Sequence, residues 1–118
     1  MFDITRNGII TISRGDNFTI NTTINVGTLL EPLLYELQSG DKVYFALMEP
    51  NQPFEHALIR KVFTKEDQDE ELNVSMDFKV EDTEYLMPGQ YYYMVKLYRA
   101  EEDLVDTIIT KTKFFIVD

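Results

Sequence analysis

Along most of this chain apolar and polar residues alternate one by one. Phe18, Ile20, Thr22, Ile24 and Val26 alternate with Asn17, Thr19, Asn21, Thr23 and Asn25. Leu72, Val74, Met76, Phe78 and Val80 alternate just as regularly with Asn73, Ser75, Asp77, Lys79 and Glu81. Tyr91, Tyr93, Val95 and Leu97 form a third stripe, with Lys96 on the opposite parity. A period of two belongs to strands that bury one face, because successive side chains leave a strand on opposite sides. Ile9–Ser13, Lys42–Met48, Leu58–Phe63 and the β-branched run Leu104–Val117 are further strand candidates. One parity of these strands predicts the core: Ile20, Ile24, Val43, Phe45, Val74, Met76, Phe78, Tyr91, Tyr93, Val95 and Leu97.

Turn chemistry separates the runs. Asn7-Gly8, Gly15-Asp16, Ser39-Gly40-Asp41, Pro50-Asn51-Gln52-Pro53, Pro88-Gly89 and Glu101-Glu102-Asp103 all fall between stripes. Helices have little room. Thr28–Leu37 has a helical count of leucines, but Pro32 in its interior breaks a helix. Glu81–Leu86 is long enough for one turn, with Asp82 as a capping residue. No linker, repeat or low-complexity segment interrupts the pattern, so residues 1–118 are expected to form one domain. The expected fold class is all-β, an antiparallel β-sandwich of about seven strands.

Leu86-Met87-Pro88-Gly89-Gln90-Tyr91 sharpens this expectation. A tyrosine where the chain turns into the sixth strand of an immunoglobulin-like sandwich buries its ring and returns its hydroxyl to nearby backbone. Tyr91, two residues after Gly89, fits that corner.

Composition narrows the chemistry. There is no cysteine, hence no disulfide, thiolate metal site or cysteine nucleophile, and the single histidine leaves no poly-histidine zinc site. Twenty-one acidic residues against 11 basic ones give a net charge of −10, which disfavours direct nucleic-acid binding by counterion release. No apolar run is long enough to span a membrane, and the N-terminus lacks a signal-peptide core. His56 sits in a loop or strand start, and no serine has a nucleophile-elbow setting. Asp67-x-Asp69-x-Glu71 resembles a calcium loop only until its sixth and twelfth positions, which are Leu72 and Phe78 rather than Gly and Glu. Arg14-Gly15-Asp16 reads as a turn between strands. No catalytic residue, cofactor or metal site is expected. What stands out is aromatic: if Tyr91 and Tyr93 face inward, Tyr92, Met94 and Tyr98 share the outer face as candidate protein-contact residues. Ile9–Ser13 and Leu104–Val117 are the expected sheet edges, and Ile109, in a stretch of the last strand with few charges, is a candidate for edge-strand pairing.

The blocks Ile10–Phe18, Leu37–Phe45, Lys61–Asp67, Asp82–Tyr93 and Val105–Phe115, in this order, resemble small immunoglobulin-like β-sandwich proteins of tailed phages and prophages. The resemblance is strongest to the N-terminal domain of the phage baseplate upper protein and spans nearly the whole chain. It implies a non-enzymatic virion component of the tail, baseplate or capsid. Its partners would be other virion proteins or further copies of itself, in the particle or in the host cytoplasm during assembly, with no nucleic acid or membrane involved. In the baseplate protein further segments follow this domain, whereas here Asp118 closes the last strand. That suggests a free-standing adaptor or decoration protein. The competing expectation is a small acidic phage inhibitor that mimics nucleic acid and blocks a host nucleic-acid-binding protein.

Overall fold

The computed structural model describes all residues from Met1 to Asp118. Eight strands form: β1 (Phe2–Ile4), β2 (Ile10–Ser13), β3 (Phe18–Thr23), β4 (Lys42–Met48), β5 (Ile59–Phe63), β6 (Asn73–Phe78), β7 (Gly89–Arg99) and β8 (Leu104–Val117). A single helical turn, α1 (Val80–Thr83), lies between β6 and β7, and 3-10 turns occupy Phe54–His56 and Lys65–Asp67. Six strands pair in the order β1-β2-β8-β7-β4-β5, and β3 pairs with β6 in a second sheet. The protein is all-β. The large sheet is mixed rather than purely antiparallel, because β2 runs parallel to β8 with Ile10 beside Phe114 and Ile12 beside Ile116.

All eleven residues expected in the core are buried. They belong to one cluster supplied by both sheets. Its centre is aromatic: Phe18 stacks on Phe78 at 4.6 Å between ring centroids, and Phe78 meets Phe45 edge-on at 4.8 Å. Phe45 in turn stacks on Tyr93 at 5.5 Å. Aromatic contacts of this kind add about 0.5–1.5 kcal/mol each beyond area burial.

Tyr91 makes the expected corner. Its ring is buried and its hydroxyl donates to the Met87 carbonyl oxygen at 2.6 Å. Tyr91→Phe should keep the packing and lose this bond, lowering stability by about 1 kcal/mol; a urea melt compared with wild type measures it.

Three findings depart from the sequence reading. The chain forms an extra strand, β1, which pairs with β2 (Asp3 opposite Thr11). Ile9–Ser13 is therefore no sheet edge, since β2 lies between β1 and β8. The last strand is an edge only over its first part: β2 covers residues Phe114–Val117, and nothing pairs beyond β7 before them. Two register shifts against β7, on either side of Val95, bulge that open part. Bulges of this kind discourage strand addition.

Candidate functional site

The outer face of the large sheet carries the aromatic candidates. Tyr92, Met94, Lys96 and Tyr98 alternate with the buried stripe of β7 and are each partly exposed. They face Met48, Ala46, Tyr44 and Lys42 on β4. Met48 and Ala46 are fully buried on this outer side, which alternation alone does not explain. The connection from β4 to β5 accounts for it. It folds back over the sheet and places Phe54 between two cations, with the Lys96 ammonium 4.4 Å and the Arg60 guanidinium 4.8 Å from its ring centroid. Lys111 lies 5.5 Å over the Tyr92 ring and hydrogen-bonds the carbonyls of Pro50 and Gln52.

The face is thus aromatic and basic together. Lys42, Arg60, Lys96, Lys111 and Lys113 all lie on it, and none has a carboxylate within ion-pair distance. Asp103, which accepts a hydrogen bond from Tyr98 at 3.0 Å, sits at its margin. The −10 net charge hides this segregation completely. Ile109 is not on this face. It pairs with Val95, packs against the core and lines a groove on the opposite side.

A second surface was not expected. Residues 24–35 form a hairpin. Tyr35 N–H donates to the Ile24 carbonyl at 2.8 Å, Val26 N–H to Leu33 at 2.9 Å and Thr28 N–H to Glu31 at 3.1 Å. The register is constant, and Leu29-Leu30 form the two-residue tip. The Asn25 carboxamide oxygen accepts from Gly27 N–H and Leu33 N–H, both at 2.9 Å, and Thr28 Oγ1 accepts from Glu31 N–H. Ile24 anchors the base in the core, with Val26 and Tyr35 packed beside it. The result is a braced hairpin that holds Leu29 and Leu30 96% and 94% exposed, with Leu33 exposed below them. Gly27 is required by close approach: a Cβ there would lie 2.3 Å from the Glu31 carbonyl oxygen.

Comparison of the chain with protein-family models, curated proteins and solved structures finds no match. Geometry and residue chemistry therefore carry the functional reading.

The hairpin is tied to the β7–β8 turn by a buried polar network. Asp41, 1% exposed, accepts from the Tyr35 hydroxyl (2.6 Å), Gln38 N–H (2.8 Å) and Ala100 N–H (2.9 Å). Burial pushes its carboxyl upward, but these bonds and the nearby Arg99 charge together hold it below the ordinary carboxylate range. Tyr35 is pushed up to about 12, by burial first and then by its bond to the Asp41 carboxylate. The Arg99 guanidinium lies 5.0 Å over the Tyr35 ring and 2.8 Å from Asp106 Oδ2. That last pair is close in distance but poorly aligned, since neither Arg99 Nε nor Asp106 Oδ2 makes a hydrogen bond.

The other candidate chemistry has local structural roles. Asp69 Oδ1 accepts from Glu71 N–H and Asn73 N–H, and Asp67 accepts from Thr64 N–H. Gly15 turns the chain with φ +78°, and its N–H donates to the buried Thr83. His56 is exposed. No helix is long and apolar enough to cross a membrane. The leucine hairpin left a sequence signal of its own, Leu-Leu twice around Glu31-Pro32, which reads as a broken helix unless hairpin pairing is considered.

Proposed function

We propose that this chain is a non-enzymatic protein-contact module of a tailed-phage particle, built on an immunoglobulin-like sandwich and acting in the tail, baseplate or capsid. The observation that carries the reading is the leucine hairpin. Two nearly fully exposed leucines on a hydrogen-bonded scaffold are costly for a free surface and useful only when something covers them. Burying each one stabilises a complex by about 1.5–3 kcal/mol. The Tyr91 corner supports the finer fold, and the residue blocks that resemble phage sandwich proteins support the particle context. Other virion proteins are the proposed partners, met in the particle or in the host cytoplasm during assembly.

The acidic-mimic alternative needs carboxylates on one face. Here the acidic runs lie before β6, after it and in the β7–β8 turn, and one whole sheet face is basic. The contact module is the better reading. Its test is mass spectrometry of purified particles from cells expressing wild type or Leu29→Ser/Leu30→Ser. The variant should keep the wild-type melting temperature and be lost from particles at least tenfold. A wild-type chain absent from particles overturns the reading.

A further inference from the structure

We propose that the leucine hairpin docks into a second copy of this chain, in the groove between the two sheets. This rests on the contact-module reading and names its partner. The groove, about 350 Å³, is floored by Ile4, Ile20, Tyr93 and Ile109, with Arg6 among its polar lining. That is more than twice the roughly 150 Å³ that accommodates a benzene ring, so branched aliphatic side chains fit. Tip and groove are also matched in charge. Glu31 follows Leu30 directly, Arg6 borders the groove, both are exposed, and neither is ion-paired within its own chain.

A chain does not satisfy its own groove. Leu29 and Leu30 are almost fully exposed and no hairpin residue lines the groove, so the tip of a chain does not occupy its own groove. Tip and groove are different surfaces, and each copy carries one of each. The contact is therefore heterologous: it closes into a ring or runs on as a filament, according to the rotation between neighbours. The free edges of β3 and of the first part of β8 flank the groove without being required to pair.

The experiment is sedimentation velocity of the purified full chain over a wide concentration range. Wild type should gain mass with concentration, and Leu29→Ser/Leu30→Ser should stay monomeric with an unchanged melting temperature. Glu31→Arg and Arg6→Glu should each weaken association about tenfold, and the two changes in one chain should restore it. Mixing the leucine variant with an Asn7→Trp chain, whose groove is blocked from an exposed lining position, should stop growth at pairs. A wild type that stays monomeric throughout overturns the proposal, as does association that survives the leucine substitutions. So does flotation of wild type with phosphatidylcholine vesicles in place of self-association, since the occupant would then be lipid. A monomeric wild type that still needs both leucines to enter particles overturns self-docking alone and leaves the contact-module reading standing.

Discussion

Phe45→Ala is expected to cost about 3–5 kcal/mol, the largest loss from any single truncation in this fold. Phe45 is 1% exposed and touches rings from three other strands: Phe78 on β6, Tyr93 on β7 and Phe114 on β8. Its contact with Phe78 is one of those that hold the small sheet to the large one. Alanine there removes both the transferred area and the stacking partners, and sheets braced on each side cannot collapse into the space. Phe2 gives the contrast. It stacks on Phe18 at 5.3 Å but is 37% exposed on a three-residue strand, so Phe2→Ala should cost roughly a third as much. Equilibrium urea unfolding of both variants measures the difference. Equal losses would mean that the core is not centred on Phe45.

Asp41→Ala is expected to cost about 3 kcal/mol, because it strands the Tyr35 hydroxyl and two backbone N–H groups and leaves Arg99 less compensated. The network also gives stability a distinctive pH profile. The Asp41 carboxyl titrates lower in the folded chain than its ordinary 3.8. Its contribution is therefore complete above that value and is lost as pH falls through the folded pKa. Tyr35 behaves in the opposite sense. Raised from 10.0 to about 12, it keeps its proton in the folded chain after the unfolded chain has released it. Stability should therefore fall as pH rises from 10 to 12. Asp41→Asn should flatten the acid limb in part, since Asp82 is also held low, and Tyr35→Phe the alkaline limb in part, since burial also raises Tyr91 and Tyr93. Urea midpoints measured across the pH range check both, and unchanged limbs would place the titrating groups elsewhere. Because the network braces the leucine hairpin against the β7–β8 turn, these variants should also loosen the docking tip.

The long alternating strands were legible because their burial is one-sided. Lys42–Met48 and Leu104–Val117 have the bounds that alternation and β-branching indicated, and β6 and β7 differ only at their ends. β1 was not legible. Three exposed residues show no period, and they are a strand only because β2 offers them an edge. The hairpin at 24–35 was hidden for a related reason. Its tip is Leu-Leu rather than a glycine turn, and its bracing comes from the Asn25 side chain rather than from a propensity.

The site divides in the same way. Tyr92, Met94 and Tyr98 share one face because parity places them there, and parity is a property of the sequence. That this face is basic, that Met48 and Ala46 are buried on it, and that Ile109 turns toward the groove depend on the β4–β5 loop and on the bulges of β8. The all-β class, the core parity and the Tyr91 corner follow from neighbours two to five residues apart and so are written in the local pattern. The parallel β2–β8 pair, the buried Asp41 network and the meeting of Ile4, Ile20 and Ile109 in one groove come from the folded arrangement alone. Those depend on contacts between residues tens of positions apart, where local pattern carries no information about which strands become neighbours.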